Sequence, residues 1–444
     1  MSKVSQQFIC ANCGFTTARW QGKCPECNEW DTLAMKTVVK QTSGTASAGT
    51  PVSLKSAGEQ GNARVATGSN ELDSVLGGGF VPGSLVLLGG DPGIGKSTLA
   101  LQTALKMCNA GEPVLYVSGE ESAHQINLRS QRIDKKTDLR VLSETNLEVI
   151  LATLEAEQPT LAIIDSIQTI TSEQVNGVVG GVSQVSFATN SFMRLAKSLH
   201  VTLLIIGHVT KEGMLAGPKT LEHMVDTVLY LEGERFTSLR ILRCNKNRFG
   251  STGEVGVFEM KESGLVEVPN PAALFLEHRS EGVAGTCVAA ILEGNKVLLL
   301  EVQALTNPSS FGYPKRATSG FDANRLQLLV AIMEKRLGAK LSNQDIYINV
   351  AGGFSLEERA ADLPVVLAIL SSLHNVVLPA HLIAFGEVGL AGEVRGVTQV
   401  EKRIKEAEKL GFSEMYTAFT KGAKKELHSL KFITELAKLF NLTK

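Results

Sequence analysis

One stretch, Gly90-Asp91-Pro92-Gly93-Ile94-Gly95-Lys96-Ser97, constrains this chain more than any other. It fills every fixed position of the phosphate-loop pattern G-x-x-x-x-G-K-[ST]. Ahead of it, Ser84-Leu85-Val86-Leu87-Leu88 ends in Gly89 and reads as a buried parallel strand. Behind it, Thr98 to Met107 carry apolar residues at helical spacing. In that context the glycines let backbone N–H groups wrap phosphates, and the helix turns its positive end towards them. Lys96 is then expected to reach the β- and γ-phosphates of a nucleotide, and Ser97 to hold Mg²⁺ through its hydroxyl. The nucleotide-binding stretch is expected to run from Gly90 through Thr98. The plainer reading, a glycine turn without a ligand, does not explain why every constrained position is filled.

The segments that follow repeat strand and helix. Pro113 to Ser118, Thr160 to Ser166 and Val201 to His208 read as strands. Ala123 to Ile133, Leu147 to Glu155 and Phe187 to Ser198 read as helices between them. Alternation of this kind predicts an α/β fold whose parallel sheet binds ligands at the carboxyl ends of its strands. Asp165 ends one strand and is placed to hold the water shell of Mg²⁺. Glu120 and Glu121 follow another, where a carboxylate can orient the attacking water; as a helix cap or solvated turn, Glu121 fits better than Glu120. His208 is placed to sense a γ-phosphate, although a lone histidine is more often structural.

Near the N-terminus, Cys10-Ala-Asn-Cys13 and Cys24-Pro-Glu-Cys27 form two C-x-x-C knuckles. Four thiolates at this spacing suit tetrahedral Zn²⁺, which replaces a core that so short a piece cannot build. A redox C-x-x-C needs only one pair. The site is expected to be structural, with Trp20 and Trp30 covering it. The other three of the seven cysteines are isolated, which suggests a reducing compartment and a cytoplasmic protein. No apolar run approaches the ~20 residues of a membrane helix. A formal net charge of −1 supplies no global attraction to nucleic acid, so any such binding requires local patches or a ring that concentrates them.

The expected spans are 1–35 for the cysteine module, 36–63 for a Ser/Thr/Gly-rich flexible linker, 64–268 for the ATPase domain and 272–444 for an α+β domain. After Asp165, residues 171–186 form a glycine-bearing loop, open to reading as a channel-facing loop or an ordinary one; 211–219 is a second such loop. Arg235, Arg240, Arg243, Lys246 and Arg248 end in Lys246-Asn247-Arg248-Phe249-Gly250. These cations either reach nucleic-acid phosphates or a neighbouring subunit's nucleotide, or form a solvated strand face. Beyond Pro271, a hairpin is expected to turn at Gly294-Asn295, with helices at 326–337, 361–372, 401–410 and 427–441 and a strand at 345–350.

With these residues assembled, the chain resembles, over its whole length, the bacterial RadA (Sms) family of DNA-repair ATPases. The resemblance rests on the four-cysteine module, Gly89 to Ser97, Ile206-Gly207-His208-Val209-Thr210-Lys211 and Lys246 to Gly250. It implies a RecA-like core that hydrolyses ATP, with Glu120 activating water. It further implies a hexameric ring related to DnaB-type helicases, RecA recombinase as a partner, and branch migration on single-stranded and branched DNA. Lys246 and Arg248 would then act across a subunit interface or towards DNA. The C-terminal third resembles the proteolytic domain of Lon. Yet Glu358-Arg359-Ala360-Ala361-Asp362-Leu363 stands where the nucleophilic serine is needed, and Glu401 where the lysine is. A scaffold role is therefore expected, with Lys315, Arg316, Lys335, Arg336 and Lys340 available to DNA. The competing functions are a nucleotide-switched adaptor and an ATP-dependent protease.

Overall fold

Short runs of leucine, valine and isoleucine without polar alternation need burial on both faces, which a helix-covered parallel sheet provides. In a computed structural model of the chain, the residues described are 4–17, 19–39, 63–207, 221–233, 238–269, 271–276, 279, 282–310, 313–351, 355–418 and 427–440. His208, the 211–219 loop, Arg235 and linker residues 40–62 lie outside them.

The cysteine module is a three-stranded antiparallel sheet of β1 (Val4–Cys10), β2 (Thr16–Thr17) and β3 (Leu33–Val39), ordered β2-β1-β3. The phosphate-loop unit follows, beginning with helix α1 (Asn70–Leu76). Six parallel strands run through it: β4 (Leu85–Gly90), β5 (Val114–Ser118), β6 (Arg140–Ser143), β7 (Leu161–Asp165), β8 (Thr202–Ile206) and β9 (Thr227–Glu232). Their order is β9-β4-β8-β7-β5-β6. Helices α2 (Lys96–Asn109), α3 (Ala123–Ile133), α4 (Leu147–Glu157) and α5 (Val182–Leu199) alternate with the strands. Along one sheet face, Leu87, Val117, Ile164 and Ile205 pack against Ile150 and Leu154 of α4 and Phe192 of α5. The strand order places the carboxyl ends of β4, β7 and β5 along one edge, the edge where α/β sheets bind ligands.

The chain divides into two compact units, Met1–Leu231 with Asn245–Gly250, and Glu232–Cys244 with Ser251–Lys444. The second contains most of an antiparallel meander, β10 (Leu239–Asn247, whose last three residues belong to the first unit), β11 (Val255–Lys261) and β12 (Gly264–Glu267), and the short helix α6 (Pro271–Leu276). A seven-stranded mixed sheet follows, built from β13 (Thr286–Glu293), β14 (Lys296–Pro308), β15 (Arg316–Ser319), β16 (Gln344–Val350), β17 (Leu382–Ala384), β20 (Glu414–Ala418) and β21 (Leu427–Leu430). A two-residue pair, β18 (Glu387–Val388) with β19 (Val394–Arg395), stands apart from it. Helix α7 (Ala323–Ile332) precedes β16, α8 (Asp362–His374) packs on β13 and β14, and α9 (Val400–Lys409) precedes β20.

The predicted β13–β14 hairpin forms, with Glu293 paired to Lys296 across Gly294-Asn295. Three expectations change. The helix expected at 427–441 is instead β21 followed by a 3₁₀ turn, Ile433–Lys438. Parallel pairing with β20 overrides helical periodicity there, and His428 stacks on Tyr416 with ring centroids 4.5 Å apart. The loop expected at 171–186 shortens, because α5 starts at Val182 with Gly181 as its N-cap. The 326–337 helix breaks at Met333 into a π-turn that Gly338 ends in left-handed geometry.

The C-terminal unit encloses an arginine. Arg403 on α9 has no exposed surface. It ion-pairs with Glu358, donates to Ala290 O at 2.5 Å and to Thr398 O at 3.0 Å, and stacks over Phe385. Glu358 Oε2 also accepts from Leu292 N at 2.6 Å. Removing one partner strands the other charge, whereas an intact pair adds little net stability. Arg403→Met is therefore expected to destabilise this unit by about 3 kcal/mol, at the low end of such losses because Glu358 retains some contact with water. Glu358→Gln should cost more, since it leaves a guanidinium with no exposed surface without its counter-charge, although the amide oxygen still accepts from Leu292 N. Chemical denaturation of both variants checks the order.

Candidate nucleotide and metal sites

The phosphate loop needs glycine at particular points. Gly90 has φ +146°, and a Cβ there would lie 2.4 Å from Leu231 O. Gly95, at φ +114°, is the N-cap of α2, and no side chain bonds to this helix end. No acidic residue occupies the first turn of α2 either, so its leading N–H groups are oriented for an anion. Lys96, only 3% exposed, donates from Nζ to Gly90 O at 2.8 Å and Asp91 O at 2.9 Å. Burial pulls its pKa down to about 8, against the opposing pull of Asp165, Asp91 and Glu120.

Asp165, at the end of β7, is 5% exposed. Its Oδ2 accepts from the Tyr116 hydroxyl at 2.6 Å, while Oδ1 is buried without a partner. An orphaned carboxylate oxygen beside a phosphate loop suits the hydrated Mg²⁺ that accompanies a nucleotide. Tyr116 titrates well above its usual range because it is buried beside Asp165, so its hydroxyl remains a donor. Glu120 follows the adjacent β5, is exposed, and accepts from Ser166 Oγ at 2.5 Å. Glu121 instead ion-pairs with Arg129, which also donates to Ser97 O at 3.0 Å. The helix cap considered for Glu121 belongs to Ser122, in a capping box with Gln125. Gly90 to Thr98, Glu120 and Asp165 thus gather around the ends of neighbouring strands.

The cations of β10 make contacts within their own chain. Arg240 is buried, and Arg243 pairs with Glu232 at 2.7 Å and with Glu293. Lys246 Nζ donates to Glu222 O at 2.6 Å and Val225 O at 2.8 Å. Arg248, 49% exposed at its side chain, pairs with Asp226 at 3.2 Å. The other oxygen of Asp226 accepts from Leu85 N, the first residue of β4. Asn247 caps its own turn by accepting from Phe249 N at 2.9 Å, and Arg64 donates to Phe249 O at 2.7 Å. Gly250 packs beside the Asn247 amide. Sequence reading missed Tyr116, Arg64, Arg129 and Asp226. Tyr116 reads as a core aromatic, but an acid immediately before β9 was a signal for Asp226. In the C-terminal unit, Arg316 braces Leu341 O at 3.0 Å and also bonds Gln344 O, which ties it to the fold.

In the cysteine module, the Sγ atoms of Cys10, Cys13, Cys24 and Cys27 lie within 4.8 Å of one another. Four thiols converging without disulfide bonds fit tetrahedral Zn²⁺ and leave no open position for chemistry. The tryptophans do not cover the site. Trp20 and Trp30 flank Gly22 and are 55% and 71% exposed, while Phe8, Phe15 and Leu33 pack on the cysteines.

Lys96 predicts a pH dependence. Its pKa of about 8 lies below the usual 10.5, so the charged form costs stability below pH 8, and that cost is relieved as pH rises towards 10.5. Phosphates favour the charged form, so nucleotide affinity is expected to fall as pH rises above about 8. Titration with a fluorescent ATP analogue at stepped pH checks this, and Lys96→Ala should lose the slope together with most of the affinity.

Comparison with known proteins agrees with this geometry. Residues 61–214 match the family described as an AAA domain, 8–34 a rubredoxin metal binding domain, and 321–421 subunit ChlI of Mg-chelatase. The fold is thus a RecA-like ATPase core between a zinc-ribbon module and a ChlI- and Lon-like C-terminal domain. Among solved structures, a KaiC-like protein from Pyrococcus horikoshii is 22% identical, with TM-score 0.38, covering 47% of this chain and 100% of that one. The DNA repair protein RadA of Halalkalibacterium halodurans is 50% identical, covering 94% of this chain and 93% of that protein. RadA of Bacillus subtilis is 47% identical over the same shares of both chains. The chain therefore belongs to the RadA family of DNA repair proteins.

Proposed function

We propose that this protein is a DNA-dependent ATPase of recombinational repair that drives branch migration on single-stranded and branched DNA. The observation that carries the ATPase reading is the buried Lys96 beside Asp165, whose Oδ1 has no partner, with Glu120 at the next strand end. In this reading Gly90 to Thr98 wrap the phosphates and Lys96 exchanges its loop carbonyls for phosphate oxygens. Mg²⁺, when bound, neutralises charge at the β- and γ-phosphates; Ser97 and Asp165 would hold it. Glu120, steadied by Ser166 Oγ, orients the attacking water. His208 is assigned γ-phosphate sensing. Zn²⁺ on the four cysteines gives the N-terminal module its fold.

The DNA part rests on family membership and on the cationic signature. Lys246 and Arg248 act across a subunit interface of a homo-oligomeric, hexameric ring or towards DNA. Arg248 is within reach of such an exchange, because its side chain is 49% exposed, while the buried Asp226 would keep the bond from Leu85 N. RecA recombinase is the expected partner, and the cytoplasm the expected location; no helix among the described residues is long and apolar enough to cross a membrane.

A nucleotide-switched adaptor is the second reading, favoured by the satisfaction of Lys246 and Arg248 within the chain. A protease is disfavoured. Arg359, Ala360 and Ala361 stand where a nucleophile is needed, Glu358 is committed to Arg403, and Glu401 is an exposed residue in the first turn of α9.

The test uses ATP turnover with and without single-stranded DNA, and branch migration of a RecA-made joint molecule. Wild type should be stimulated by DNA and migrate junctions. Lys96→Ala and Arg248→Ala should both lose migration, with Arg248→Ala retaining ATP binding. Equal migration by all three proteins would refute the motor, and turnover indifferent to DNA would favour the adaptor.

A further inference from the structure

Tyr116 lies in the middle of β5 with no exposed surface, a position that phenylalanine could fill as an ordinary core residue. Its hydroxyl is therefore the feature to explain, because a buried polar group is costly unless bonded. The partner it has is the Asp165 carboxylate, 2.6 Å away on the adjacent strand β7. Donation to Oδ2 fixes the rotation of that carboxylate and leaves Oδ1 buried and unpartnered. Without the donor, a terminal carboxylate turns broadly about its last torsion, and either oxygen can face the site.

We infer that the Tyr116 hydroxyl is a positioning group that holds Asp165 with one oxygen committed to the fold and the other presented to the nucleotide's divalent metal. The inference rests on the assignment of Asp165 to the metal's water shell made above. Tyr116 touches neither nucleotide nor metal in this scheme and acts only through Asp165. Outer partners of this kind are worth a measurable share of metal affinity.

The experiment is Mn²⁺ binding to the full-length protein with ADP, read by electron paramagnetic resonance, in wild type, Tyr116→Phe, Asp165→Asn and the double variant. The Mg²⁺ dependence of ATP turnover is measured beside it. Tyr116→Phe should weaken Mn²⁺ binding about tenfold, the size expected for loss of an outer partner. It should also raise the Mg²⁺ needed for half-maximal turnover, leaving metal-free ADP affinity unchanged. In the Asp165→Asn background, Tyr116→Phe should add nothing. Unchanged Mn²⁺ affinity in Tyr116→Phe, or equal losses in both backgrounds, would overturn the positioning role. Full Mn²⁺ affinity in Asp165→Asn would instead overturn the assignment of Asp165 itself.

Discussion

A single buried ammonium organises the ATPase unit. Lys96 is held among Gly90 O, Asp91 O and the charge of Asp165, with almost no access to water. A cation in that position is stable only beside oxygens, and the loop supplies them because its glycines let the backbone pass where a Cβ would collide with Leu231 O. The same oxygens are weak enough partners to be exchanged for phosphates. The parallel sheet places Asp165 and Glu120 at the neighbouring strand ends, so in the proposed function binding and hydrolysis share one edge.

The features most legible in the sequence were those whose chemistry restricts residue identity. A phosphate loop requires glycine where φ is positive and lysine at one point, and a zinc site requires four thiols at fixed spacing. Buried strands announced themselves as apolar runs. Interactions set by tertiary neighbours were not legible. Tyr116 looks like any strand aromatic until β7 brings Asp165 beneath it, and nothing adjacent in sequence to Glu358 points to Arg403. The segment from Leu427 has helical spacing, yet strand pairing with β20 decides its conformation. Trp20 and Trp30 looked like a lid on the metal site because aromatic residues favour burial, but phenylalanines occupy that place.

The C-terminal unit is organised around a buried ion pair. In the C-terminal unit a salt bridge with no exposed arginine surface, Glu358 with Arg403, is backed by two backbone carbonyls. That arrangement links α9 to β13 and to the turn before α8. The cationic signature follows a comparable logic in the ATPase unit. Asp226 bonds both Arg248 and the first residue of the phosphate-loop strand, so the arginine is tied to the amino end of that strand, opposite the edge that carries Lys96. On the motor reading, the neighbouring chain's nucleotide competes for that arginine.

The most direct test of this account mixes two inactive proteins. Lys96→Ala carries an intact Arg248 and Arg248→Ala carries an intact Lys96, so on the motor reading a mixed ring contains interfaces in which both wild-type groups meet. If Arg248 acts across the interface, random mixing makes about a quarter of the interfaces competent. DNA-stimulated ATP turnover should then reappear on mixing, to roughly that fraction of wild type. Turnover in the mixture no greater than the sum of the two separate proteins would contradict the account.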